Sequence, residues 1–90
     1  MRLNELAKLM RTAGDESRLK ILCVIFNNPK ICVSDIAQKL QLSVAIVSHH
    51  LKAMAKEKLL SPVQEGKCIY YQFPQKPFAT DLKKFICKYK

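Results

Sequence analysis

Four cysteines, at positions 23, 32, 68 and 87, and a polar set made of Ser43, Ser48, His49, Lys52, Lys56 and Lys67 are the side chains here best equipped for chemistry. Thiols serve three ends: redox exchange, binding of soft metal ions, or packing as small hydrophobes. No two of these cysteines stand at a C-x-x-C spacing, so spacing alone gives no metal-ligand pattern. The polar set has another chemistry. Hydroxyl and imidazole groups hydrogen-bond to base edges, and lysines hold phosphates, which together suit a nucleic acid. Catalytic turnover is not expected: there is no phosphate-cradling glycine loop, no paired carboxylates in a plausible cleft and no Cys/His dyad spacing. Nothing calls for a cofactor.

The elements that must position the polar set lie in VSDIAQKLQLSVAIVSHHLKAMAKEKLL, residues 33–60. Ser34 is expected to cap a first helix whose inward residues are Ile36, Ala37 and Leu40. Gln41 and Leu42 form a tight turn. Ser43 caps a second helix, in which Val47, Leu51 and Met54 recur as a buried stripe while Ser48, His49, Lys52 and Lys56 face outward. A helix-turn-helix results, its second helix able to read base edges near its start and hold phosphates further along. The first turn of that helix, Val44, Ala45 and Ile46, is apolar and suited to thymine methyl groups. His49 and His50 point about 100° apart on a helix, so one is expected to face DNA and the other to pack. The next segment, SPVQEGKCIYYQF, places two β-prone runs around Gly66 and reads as a hairpin with Lys67 at its tip. A hairpin in this place is a wing.

The remaining chain supplies supporting helices. Leu3, Leu6, Ala7 and Met10 form one stripe, ending near Gly14; Asp15 caps a helix with Leu19, Leu22, Cys23 and Phe26 inward and Arg18 and Lys20 outward. Asn27-Asn28-Pro29 ends it, and residues 31–33 are expected to add a short strand to the wing. Phe78, Leu82, Phe85, Ile86 and Tyr89 form a last stripe. The fold class is therefore mainly α with a small β-hairpin, a winged helix-turn-helix occupying residues 1–90 as one domain. Ninety residues give a small core, and pairing the terminal helices of two protomers would bury the surplus apolar surface. Such a homodimer sets two recognition helices about one DNA turn apart, matching a palindromic double-stranded operator. The net charge of +9, from 16 basic and 7 acidic residues, calls for a polyanionic partner. A membrane is not that partner, because the longest apolar run, Ile21 to Phe26, is too short to span one. The N-terminus does not resemble an export signal, so the expected location is the cytoplasm.

The order of elements, with DESRLKIL, ICVSDIA, LSVAIVSHHLKAM and EGKCIYYQF, resembles the ArsR/SmtB family of bacterial winged-helix repressors over nearly the whole chain. The resemblance implies a homodimer that binds an operator in one chemical state and releases it in another. Against the family's Cys-Val-Cys metal pattern this chain has Cys32-Val33-Ser34, and its histidines lie off the family's zinc site on the last helix. Cys23 and Cys87 instead match the two thiols of the persulfide- and redox-sensing branch. That implies a thiol switch at Cys23 and Cys87 with reactive sulfur species or an oxidant as inducer. Lys83, Lys84 and Lys88 flank Cys87, and cations favour thiolates. One alternative is a metal- or metalloid-responsive repressor, with Cys32 joining Cys23 or Cys87 around arsenite, cadmium or another soft ion. Inert packing of Cys23 is a further one, and Cys68 is expected to pack or to lie exposed. From another class, a winged helix also serves as a protein-interaction module.

Overall fold

In the computed structural model, which describes residues 2–89, side-chain caps start two of the helices. The elements run α1 (Leu3–Ala13), α2 (Glu16–Asn27), α3 (Val33–Leu40), α4 (Val44–Lys56), β1 (Ser61–Glu65), β2 (Cys68–Gln72) and α5 (Pro77–Tyr89). This is the winged helix-turn-helix expected from the sequence. The Asp15 carboxylate accepts from the Arg18 N–H at 3.0 Å to start α2. Ser43 Oγ accepts from the Ile46 N–H at 3.1 Å to start α4. Each satisfies a donor that a helix N-terminus otherwise leaves orphaned. At the far end of α2, the side-chain amides of Asn27 and Asn28 donate to the carbonyls of Cys23 and Val24.

Ser34 does not cap α3. That helix begins at Val33 with Cys32 as its N-cap residue, and no side chain makes the cap bond. Cys32 is held extended by an antiparallel bridge to Tyr70 and by a disulfide to Cys68, so the helix starts directly after this anchor. The strand expected over residues 31–33 is reduced to that single bridge.

Both helices of the helix-turn-helix unit end the same way. Gln41 (φ 56°) and Lys58 (φ 63°) adopt the left-handed conformation, and the next N–H groups, of Leu42 and Leu59, reach back to Ala37 and Met54 carbonyls at 3.0 and 2.9 Å. A non-glycine residue in that conformation costs about 1 kcal/mol. The closure offsets this by satisfying helix carbonyls and turning Leu59 into the core.

The core joins Ile21, Leu22 and Ile25 of α2, Ile36 and Ala37 of α3, and Val47, Leu51 and Met54 of α4. Leu59, Leu60, Tyr71 and Ile86 close it. The α4 stripe is the one expected. For α2 the expected face is rotated: Ile21, Leu22 and Ile25 are buried, while Leu19 is exposed and Cys23 and Phe26 are half-buried. The reason is that α2 is apolar on two sides, and the core takes only one of them. In the wing, β1 and β2 pair antiparallel with Glu65 opposite Cys68. The two-residue loop between them requires a positive φ at its first position, which Gly66 supplies at 64°. Pro62 is tolerated because the sheet has two strands and an outer edge.

Candidate nucleic-acid interface

Successive residues of α4 rotate by about 100° around its axis, which fixes what lies opposite its buried stripe. Val47, Leu51 and Met54 are fully enclosed. Ala45, His49, Lys52 and Lys56 therefore project from the far side, and all four are exposed. Ser43 and Val44 lie at the helix start, both exposed; Ser48, expected to face outward, sits instead on the flank, half-buried, because it is only about 100° from Val47 of the buried stripe. Val44 and Ile46 keep 52% and 48% of their surface in water, a high figure for large apolar groups in the first turn of a helix. Ser43 uses an oxygen lone pair for the cap and retains its hydroxyl proton for a partner. Among the described residues, Lys52, Lys56 and Lys67 form no ion pair with an acidic side chain. Their charge is thus available to phosphates.

Lys67 is exposed at the tip of the wing, next to Cys68. The wing is fastened to the segment preceding α3 by the Cys32–Cys68 disulfide, whose Cα atoms are 5.7 Å apart, and by the Cys32–Tyr70 bridge. A Lys30–Glu65 ion pair at 3.9 Å runs alongside. Contrary to the expectation from sequence, Cys68 therefore neither packs as an inert hydrophobe nor lies exposed. Cys32 is bonded to Cys68, and the structure does not assemble it with Cys23 or Cys87. Among the described residues no group of three or more His, Cys, Asp or Glu side chains is arranged to hold a metal ion.

His49 and His50 diverge. His49 is exposed, whereas His50 is half-buried and its Nδ1 accepts from Arg18 Nε at 3.1 Å. The same guanidinium donates to the Thr12 carbonyl at 3.0 Å. The sequence pattern places Arg18 outward, but the side chain turns inward. The C-terminal carbonyls of α1 and the imidazole of α4 both lie within reach of its fork, so one side chain ties α1, α2 and α4 together. A Lys8–Glu57 ion pair at 3.2 Å also connects α1 to the end of α4. No local sequence signal marks the Arg18–His50 contact, which spans 32 positions.

Away from α4, a groove of about 1000 Å³ lies between α1, α2 and α5, lined by Leu6, Met10, Leu19, Cys23, Leu82 and Phe85 among others. The stripes expected on the terminal helices are here, largely uncovered: Leu3, Met10, Phe85 and Tyr89 are all exposed. Cys23 lines the groove half-buried, and Cys87 is an exposed free thiol on α5, the helix that packs against α2. Lys83 and Lys88, which flank Cys87 in sequence, lie over the rings of Phe26 and Tyr89.

The family model for bacterial regulatory proteins of the arsR family matches residues 15–61, more than half of the chain. The chain belongs to the ArsR family. The cadmium resistance transcriptional regulatory protein CadC of Listeria innocua is 40% identical over 58 residues, covering 64% of this chain and 49% of the relative. The transcriptional repressor PagR of Bacillus anthracis is similar in structure with a TM-score of 0.82 and 30% identity, over 93% of this chain and 94% of PagR. HlyU of Vibrio cholerae shares the fold at a TM-score of 0.84 and 23% identity, over 99% and 98% of the two chains. The ArsR-family chain described here spans about half the length of the curated relatives it matches. Those relatives are transcriptional regulators and not enzymes.

Proposed function

We propose that this ArsR-family chain is a homodimeric, DNA-binding transcriptional repressor of the cytoplasm whose operator occupancy is switched by thiol chemistry at Cys23 and Cys87. The observation that carries the DNA-binding part is the outer face of α4: Ala45, His49, Lys52 and Lys56 exposed opposite a fully enclosed stripe, with Ser43 exposed at the helix start and a wing tipped with Lys67 following. Ser43, Ser48 and His49 supply hydrogen bonds to base edges, and Val44, Ala45 and Ile46 supply contacts to thymine methyls. Lys52, Lys56 and Lys67 hold the backbone. Dimerisation through α1, α2 and α5 is supported by the apolar groove and by the exposure of Leu3, Met10, Phe85 and Tyr89. It places two copies of α4 against a palindromic site.

The thiol switch is supported by position. Cys23 on α2 and Cys87 on α5 lie on two helices that pack together and border the proposed dimer face. One thiolate attacks the terminal sulfur of a polysulfide, whose S–S bond breaks and whose shortened remainder leaves as the anion; the other cysteine, having lost its proton, then attacks the persulfidated sulfur and displaces hydrosulfide to close a disulfide. With hydrogen peroxide, the two thiols give up two electrons and two protons to close the disulfide, the O–O bond breaks, and two waters leave. Closing the bridge draws α5 along α2, changes the dimer face and alters the spacing of the two recognition helices. A second reading, release by a soft metal or metalloid ion bound at cysteine thiolates, is favoured by the CadC relative, whose name refers to cadmium resistance.

Two substitutions test these assignments. Lys67→Ala is expected to weaken binding to all duplexes and to lower the slope of log K against log salt by about one for each phosphate no longer neutralised. A fluorescence-anisotropy salt series reads this out, and an unaltered slope places the wing away from the backbone. Cys87→Ser is expected to bind the operator as the parent chain does and to be insensitive to polysulfide and peroxide. Release unchanged by this substitution refutes the switch, and release by cadmium or arsenite alone favours the second reading. If palindromic DNA competes no better than random DNA, the fold is serving as a protein-interaction module.

A further inference from the structure

We propose that Cys32 and Cys68 form a second reversible thiol–disulfide site, which clamps the wing and takes small thiols and small disulfides as its reactants. It rests on the DNA-binding reading above and is separate from Cys23 and Cys87. The Cα atoms of the bonded pair are 5.7 Å apart, a separation that a disulfide spans without backbone movement. The bond joins two parts whose relative placement matters for a groove-binding protein. Cys32 is the residue immediately before α3, and Cys68 opens β2 beside Lys67. Two ties run parallel to it, one bridge pairing at Tyr70 and one ion pair between the exposed side chains of Lys30 and Glu65. An exposed ion pair adds little, so of these ties between the wing tip and the residue before α3 the disulfide, closing a separation of 36 positions, is the covalent one, while buried Tyr70 and Tyr71 hold the base of the hairpin.

Reversibility follows from the setting. In the cytoplasm, disulfides in such proteins are typically transient and redox-sensing. Both residues are half-buried, within reach of a small molecule. Cys32 is the N-cap residue of α3, the end of a helix that favours a leaving thiolate, whereas at Cys68 adjacent Lys67 is set against Glu65, which lies opposite in the strand pair and holds Lys30. In the opening direction, the thiolate of a small thiol attacks one protein sulfur, and the other leaves as a thiolate that takes up a proton. A second small thiol then attacks the mixed disulfide, releasing the small-molecule disulfide and the second protein thiol. Two electrons pass from the small thiols to the protein. The reverse sequence, started by a small disulfide, closes the bond.

The consequence lies in how Lys67 is presented. With the bond closed, the wing is held in place before DNA arrives, and binding does not have to order it. With the bond open, Tyr70 and Tyr71 remain buried and keep the hairpin folded, but its tip gains freedom. The opened form is expected to bind DNA about three- to tenfold more weakly, the size of effect that ordering a few side chains and a short loop produces.

The test uses the Cys23→Ser/Cys87→Ser double variant, in which Cys32 and Cys68 are the remaining thiols. The variant is treated with excess small thiol or with a small disulfide. Its state is read by intact mass after alkylation, two labels for the opened form and none for the closed. Affinity is then measured for a duplex selected from a random pool by the parent chain, and for a random duplex. Weaker binding of the opened form, restored by the small disulfide, supports the proposal. Equal affinities of the two forms overturn it, as does a reduced chain that accepts both labels after incubation with the small disulfide. If neither form prefers the selected duplex to the random one, the DNA-binding reading fails, and this proposal with it.

Discussion

Phe85→Asp is expected to leave a folded protomer that no longer pairs and that has lost most of its affinity for a palindromic duplex. Phe85 is 61% exposed and its ring contacts Tyr89 at 5.0 Å between centroids, so the isolated protomer has little packing to lose. In the proposed dimer the same position lies inside an apolar face. Burying a carboxylate there without a partner costs several kcal/mol, about two or more powers of ten in the dimer dissociation constant. Sedimentation of the variant at micromolar concentration reads the mass directly, and circular dichroism checks the helices. A variant that sediments as the parent chain does would remove α5 from the interface. The drop in operator affinity should accompany the loss of pairing, because a single protomer engages one half-site.

Leu51→Ala carries the largest expected effect on stability. Leu51 is fully enclosed, in the middle of α4, where the recognition helix is seated on α2 and α3. Truncating such a side chain removes its transfer free energy and leaves a cavity, together about 2–5 kcal/mol. Against the roughly 5–15 kcal/mol that holds a domain of ordinary stability, this is a large fraction. Urea denaturation should show a lower midpoint with little change in slope. Below the unfolding transition the variant should still bind DNA, since Lys52 and His49 point away from the site of truncation. A loss of unfolding free energy under about 1 kcal/mol would mean that α4 is not anchored by this stripe.

The helix-turn-helix and the wing could be read from the chain because their signals are local. Asp15 and Ser43 cap, Val47, Leu51 and Met54 repeat at helical spacing, and Gly66 permits the hairpin loop, all within a few residues of the structure they specify. The outer face of α4 follows directly from its inner one, since a helix of known phase has a known back. For the same reason His49, Lys52 and Lys56 are exposed as the pattern of residue types suggests, whereas Ser48 falls on the flank of the helix and is half-buried.

Other features were hidden for reasons that are also physical. Periodicity shows that α2 is apolar but not which of its two apolar sides wins the core, and the choice fell on Ile21, Leu22 and Ile25 because α3 and α4 close over that side. Cysteine spacing gives no connectivity, so the bond between Cys32 and Cys68 depended on how the wing registers against the residue before α3. Arg18 could equally have been solvated; three elements meeting at one place gave its guanidinium an imidazole and a carbonyl to bind. Short-range chemistry thus specified the elements and the exposed face of α4 proposed to meet DNA. Long-range packing settled which thiols meet and which apolar face is left uncovered, because contacts between distant residues depend on register and on competition for one small core.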